Sequence, residues 1–406
     1  MDGIKDIISH FKLRASWGVT GNQAIKPYST LAILSTSSYP SYAAYPVTGS
    51  GTSVGVSQTS IANPDLKWEK TTQLDFGSDL KFINGRIEMI FDYYKKNTED
   101  LLLSVPLPST SGVGSVLKNV GEVENKGFEF YLGGTPIKGE FIWNTGITFA
   151  RNKNEVISLR DGIEKITLGD AGLPGFNGAR VLKVGEPLGL YEGYEQKDVW
   201  KSWEADEASV YGLIPGSPKL VDQNNDGKIN ENDKVIIAGA QPDFTFGWNN
   251  TFSYKNFDLN ILMQGVYGND ILNLGKVRME MSNTDSDATD PAVLNRWTTN
   301  NEDTDIPSFS GQKVSPSFQT DHWVEDGSYL RVKDITLGYT LPASFTQKFK
   351  ISLARFYVSG TNLVTITDYS GFDPEVASYS DDRLLGADVA AYPAQKIFTI
   401  GLNLNF

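Results

Sequence analysis

The sequence predicts an all-β protein: an antiparallel transmembrane β-barrel arrangement of about ten strands carrying long extracellular loops. Three observations lead there. Ten segments alternate apolar and polar residues with the period of a strand. Their connections alternate strictly between short and long. No run approaches the roughly 18 apolar residues of a spanning helix, so any membrane crossing is made by strands closed into a barrel.

Taken in order, the predicted strands cover about residues 10 to 19, 70 to 82, 86 to 96, 126 to 135, 139 to 150, 243 to 254, 257 to 268, 328 to 341, 351 to 361 and 396 to 406. The first long connection, 20 to 69, separates the first two strands. Asn84-Gly85 then marks a two-residue type I′ hairpin. In the third strand Ile87, Met89, Phe91 and Tyr93 interleave with Glu88 and Asp92. The long connection 97 to 125 contains LLLSVPLP (101 to 108), read as a loop strand packing on its neighbours. Pro136 to Lys138 supplies the next short turn, after which Phe141, Trp143, Ile147 and Phe149 alternate with Asn144, Gly146 and Thr148. A third long connection spans 151 to 242. Lys255-Asn256 joins two further strands, the second with Phe257, Leu259, Ile261 and Met263 against Asp258, Asn260 and Gln264. The connection 269 to 327 is long and that from Pro342 to Lys350 short; the strands flanking the short one alternate poorly. After the long connection 362 to 395 comes KIFTIGLNLNF, with Phe398, Ile400, Leu402, Leu404 and Phe406 on one parity. The other parity, Ile397, Thr399, Gly401, Asn403 and Asn405, is small or polar apart from Ile397. A soluble sandwich has no reason to gather every long loop at one end, whereas outer-membrane barrels have short periplasmic turns and long extracellular loops.

Composition narrows the function classes. The chain has 406 residues, with 49 acidic against 36 basic residues for a net charge of -13, which argues against nucleic acid as a partner. With no cysteine there is no disulfide or thiolate metal site, and His10 and His322 alone build neither a histidine-rich centre nor a nucleophilic triad. Paired-carboxylate and zinc motifs are also missing, so an enzyme is not expected. The N-terminal MDGIKDIISHFKLRASWG lacks a basic region followed by an apolar core, so the chain reads as cytosolic or as a piece of something longer.

Several stretches resemble the C-terminal half of the SusC/RagA family of TonB-dependent outer-membrane transporters of Bacteroidetes. They are NPDLKWEKTTQLDFG (63 to 77), NVGEVENKGFEF (119 to 130), NRWTTNN (295 to 301), EDGSYLRVKDITLGYTLP (325 to 342), SGTNLVTITDYSGFDPEV (359 to 376) and the closing IGLNLNF (400 to 406). The resemblance implies the C-terminal portion of a 22-stranded barrel with a lumenal plug. It implies residence in the outer-membrane lipid bilayer and nutrient import of an oligosaccharide or peptide. It also implies a SusD-like surface lipoprotein as lid, energy from the TonB-ExbB-ExbD system through an N-terminal part not in this sequence, and a role for Phe406 in barrel assembly.

One stretch has the spacing of a calcium loop. In DQNNDGKINEND (222 to 233), Asp222, Asn224 and Asp226 occupy positions one, three and five, Gly227 six, the Lys228 carbonyl seven and Asp233 twelve. Such a set wraps one Ca²⁺ and stiffens an extracellular loop; the competing reading is an Asx-rich turn closed by its own hydrogen bonds. Gly185, Gly189 and Gly193 are read as tight-turn residues, with nothing of a phosphate loop about them. Tyr39, Tyr42, Tyr45, Trp200, Trp203 and Tyr211 could stack on sugar faces or pack within loops. Two other functions compete with import: a calcium-stabilised extracellular β protein binding a glycan or a protein, and a small complete ten-stranded barrel acting as adhesin or pore.

Overall fold

The computed structural model describes residues 7–22, 27–36, 56–159, 162–168, 176, 178–281, 291–308, 319–376 and 385–406. Ten long strands form one sheet: β1 (Ile8–Asn22), β2 (Glu69–Phe82), β3 (Ile87–Glu99), β4 (Gly121–Lys138), β5 (Phe141–Leu159), β6 (Phe244–Tyr254), β7 (Phe257–Tyr267), β8 (Tyr329–Thr340), β9 (Leu353–Thr367) and β10 (Ile397–Asn405). Each strand pairs antiparallel with its neighbours in sequence, and β1 and β10 are the two edges. All ten expected strands are present. Among the described residues β1 and β10 do not pair, so the sheet is open.

Residues directly opposed across antiparallel strands share a face, so the register can be followed from strand to strand. One row runs Phe11, Leu80, Met89, Leu132, Ile147, Trp248, Met263, Val332 and Val364. Every member is apolar. The adjacent row on the opposite face runs Lys12, Asp79, Ile90, Tyr131, Thr148, Gly247, Gln264, Arg331 and Thr365. It is polar or small at seven of nine positions. On β10, Phe398, Ile400, Leu402 and Leu404 stand opposite Gly360, Val358, Phe356 and Ala354, which carries the apolar face to that edge.

Two belts of rings border the apolar face. At the long-loop end Phe91, Phe128, Phe149, Phe244 and Tyr267 follow one another across five strands with ring centroids 5.1–6.1 Å apart. At the short-turn end Phe141 and Trp143 stack on Phe252, and Phe257 meets Tyr339. Along β6 the belts lie at Phe244 and at Phe252 to Tyr254. That is roughly 30 Å of strand, or about 23 Å of height at a tilt of about 40°, close to the band of a membrane barrel.

The short connections are tight. Ile83 C=O accepts from Arg86 N–H at 3.1 Å, with Asn84 and Gly85 at φ 53° and 82°, as a type I′ turn requires. The expected turn at Pro136 to Lys138 lies two residues further on, at Gly139-Glu140, because Pro136 sits in a β-bulge between Gly134 and Ile137. A bulge accommodates a residue with no N–H to give the ladder. A second bulge at Lys333 shifts the parity of β8, and β9 has an extra residue opposite it near Asn362, φ 55°. These shifts explain why residues 328 to 341 alternate poorly.

The strands β4 and β5 have 18 and 19 residues, beyond the 9–11 that span a bilayer. Their surplus runs into a packed layer built from the long connections. Lys165–Thr167, Arg180–Lys183, Leu190–Gly193 and Val235–Gly239 form a four-stranded sheet there. Asp270–Asn273 and Val324–Asp326, from the two ends of the connection between β7 and β8, form another with Ala387–Asp388 from the connection after β9; the helix α1 (Leu274–Met281) follows the first of these strands. Phe176, Tyr191, Ala238, Leu272, Trp323 and Ala387 pack into one buried core. The conventional hydrophobic core therefore lies in the loops, while the barrel wall is two-sided.

Replacing Ile261, mid-height on the apolar face, with Arg should cost about 2–4 kcal/mol and lower the amount of inserted full-length protein. The Asn249→Arg control, on the polar face, should insert normally. Equal losses in a heat-modifiability gel assay would mean that the two faces are misassigned.

Candidate functional site

The polar face is organised by ion pairs running across strands. Arg14 on β1 reaches Asp79 on β2 at 2.8 Å and Asp92 on β3 at 2.9 Å, and Lys81 meets Glu88 at 3.2 Å. Arg355 on β9 forks onto Asp258 on β7, spanning the Gly338 backbone between them. Glycines on this face leave room for side chains lying flat. A Cβ at Gly133 or Gly401 would collide with the ring of Tyr131 or Tyr357. The result is a smooth wall with a shallow groove of about 430 Å³ bordered by Asp92, Glu129, Tyr131, Thr148, Gln264 and Tyr329. Such a wall can line a wet passage and offer donors and acceptors to a polar cargo.

The loop layer is tied to this wall by one buried cation. Arg331 is 2% exposed; it donates to Thr365 Oγ1 at 2.9 Å, to Glu375 at 2.7 Å and to Asp373. Asp373 also accepts the Ala394 N–H at 2.8 Å and the Glu375 N–H at 2.9 Å. Burial pulls the Asp373 carboxyl up, but these N–H groups and the Arg331 guanidinium outweigh it and hold it below its ordinary value. Nearby, Tyr369 donates to Asp388 at 2.6 Å, and burial together with that carboxylate raises its hydroxyl pKa. The connection after β9 is thus pinned at both ends of its described part.

The TonB-dependent receptor-like β-barrel family matches residues 3–363. The chain belongs to that family. Within it the chain is SusC/RagA-like, and its place is the outer membrane. It is 40% identical to TonB-dependent receptor P3 of Formosa agariphila over 98% of this chain and 40% of that one. It is 31% identical to the TonB-dependent receptor SusC of Bacteroides thetaiotaomicron, over 99% of this chain and 38% of that one. The solved RagAB peptide transporter superposes with a TM-score of 0.80 at 27% identity, covering 99% of this chain and 41% of that one. The chain therefore spans about two fifths of the length of these relatives.

In this TonB-dependent receptor wall the apolar face is the lipid side and the ion-paired face the lumen. The candidate calcium loop lies in the extracellular layer. Asp222 accepts the N–H groups of Asp226 at 3.1 Å and Gly227 at 2.8 Å, and Asp226 accepts that of Lys228 at 2.9 Å. Asn224 Oδ1 accepts from Asp226 N–H at 2.9 Å. Asp233, fully buried, closes the segment by accepting from Gln223 and Asn230 N–H. The loop so held is an Asx-rich turn, and among the described residues no three Asp, Glu or His side chains form a metal-binding group. Phe406 follows β10 and is 87% exposed.

Trp200 is buried against Tyr211 and under Lys219, so it packs within the loop, whereas Trp203 is exposed. Tyr39, Tyr42 and Tyr45 lie outside the described residues. Gly185 and Gly189 do sit at turns, with φ 84° and 85°, while Gly193 permits close approach of the Gln319 carbonyl. The Arg331 clamp escaped sequence reasoning. Arg331 and Asp373 lie 42 residues apart in two stretches that alternation alone does not connect.

Arg331→Met should leave Asp373 buried without its partner, a loss of about 3–5 kcal/mol. Limited proteolysis should then cut the 368 to 396 connection far faster in the full-length protein. Because the Asp373 pKa is depressed, its contribution is complete above the ordinary carboxyl value of about 4 and fades as pH falls below it. Wild-type protection should hold at pH 5 and weaken only near pH 3; loss of protection at pH 5 would refute the assignment.

Proposed function

We propose that the chain forms the C-terminal part of the barrel of a SusC-like importer that carries an oligosaccharide or peptide across the outer membrane. The observation that carries this reading is the two-sided sheet. Its lipid face is bounded by two ring belts, its lumen face is lined with ion-paired and small residues, and a packed extracellular layer stands over it. A stable roof over a polar wall suits capture and passage of a hydrated cargo. A SusD-like lipoprotein is the proposed lid, supported by the likeness to RagAB and SusC. TonB coupling, with ExbB-ExbD at the inner membrane, is the proposed energy source, supported by the family.

Cells producing the full-length protein should take up labelled oligosaccharide or oligopeptide mixtures, and deletion of its gene should abolish uptake of one of the two. A protonophore should stop that uptake, since coupling draws on the inner-membrane gradient. Uptake that survives the protonophore would indicate a passive pore instead.

We also propose that Asp222, Asn224, Asp226, the Lys228 carbonyl and Asp233 hold a structural Ca²⁺. The donors are oxygens at the required spacing, and Gly227 at φ 78° makes the turn at position six. Each carboxylate oxygen that accepts one N–H retains a lone pair for a cation. Calcium would offset the carboxylates of Asp222, Asp226 and Asp233 and stiffen the extracellular layer. Millimolar calcium should slow proteolysis of this loop in the wild type and have no effect on the Asp222→Ala, Asp226→Ala double variant. Identical protection with calcium and with chelator leaves the Asx turn as the whole account.

A further inference from the structure

Between α1 and the segment after β9 lies a cavity of about 680 Å³, separate from the lumen groove. Met279, Ala292, Ile306 and Phe372 supply apolar wall, and Glu280 and His322 also line it. Glu280 is 3% exposed, and its Oε2 has no hydrogen-bond partner. His322 Nε2 lies 3.6 Å from that oxygen and is likewise unbonded. That separation exceeds a hydrogen bond. A buried carboxylate oxygen without a donor is costly, so this pair is a place made for a ligand that donates.

The other charged groups narrow the ligand. Asp388, also at the cavity, already accepts from Tyr369 Oη and the Ala391 N–H. Lys276 lies 3.7 Å from Glu325. Asp305 adds a further exposed carboxylate, so among the described residues lining the cavity acidic side chains outnumber basic ones. We propose that this cavity binds a primary alkylammonium group, the chemistry of a lysine side chain. Its three N–H donors can serve Glu280 Oε2 and His322 Nε2 together, the imidazole then carrying its proton on Nδ1. The stem lies along Met279, Ala292, Ile306 and Phe372, much as lysine stems bury their methylenes beneath a polar head. The site belongs to the extracellular layer, where it selects for one feature of an arriving molecule.

The test is calorimetric titration of the detergent-solubilised full-length protein with n-pentylamine and, as the uncharged isostere, 1-pentanol. A charge-assisted hydrogen bond predicts that the amine binds about tenfold tighter or more. Glu280→Gln should bring the two ligands to equal affinity, and Ile306→Trp, which fills the cavity, should remove both, with gel mobility reporting an intact barrel in each variant. An amine that binds no better than the alcohol, no heat from either ligand, or a preference that survives Glu280→Gln overturns the assignment. Binding is read at equilibrium without transport, so this result and the import assay fail independently.

Discussion

Every backbone N–H and C=O held in hydrocarbon has to find its partner inside the protein, because lipid offers none. The ten-stranded ladder satisfies that demand across the strand interiors, and the other features of the wall follow from it. Strands must be antiparallel neighbours joined by tight turns, so Asn84-Gly85 and Lys255-Asn256 can be short. Residues must alternate between lipid and lumen. Where an exception occurs on the lipid face, it is satisfied locally: Trp143 donates to Asn250 at 3.0 Å and Trp248 to Thr145 at 2.9 Å. Polar atoms that would otherwise face lipid unpaired are covered by indole N–H groups.

The same ladder frees the inner face from packing. A soluble sheet of this size would bury one side against a second layer, and here the inner residues answer to one another through ion pairs. Arg14 with Asp79 and Asp92, and Arg355 with Asp258, join strands through side chains as the backbone joins them through amides. These groups are partly exposed, so each pair adds little stability alone. Their effect is to keep long side chains flat against the wall.

Stability of a conventional kind is concentrated above the wall. The buried core around Tyr191, Leu272 and Trp323 draws on connections that are distant in sequence, which makes the extracellular layer a folded body. Arg331 links the two regions, since it stands on β8 and its partners Asp373 and Glu375 belong to the connection beyond β9. Movement of Asp373 and Glu375 away from the wall would have to break a buried ion pair.

Alternation is local, and a strand exposed to lipid on one side and water on the other shows it in its own residues. That is why all ten strands, their order and the lipid face of β10 were legible in the sequence. The calcium-type spacing at Asp222 to Asp233 was legible for the same reason, being contained in twelve residues. What the sequence could not show was contact between distant segments. The bulges at Pro136 and Lys333 depend on what the partner strand offers, and so their turns and parities came out displaced. The Arg331–Asp373 pair and the approach of His322 to Glu280 each join residues 42 positions apart, and the core of the loop layer gathers segments from three connections. No period in the chain encodes such meetings; only the tertiary structure, by fixing which connections stack above the wall, brings these side chains together.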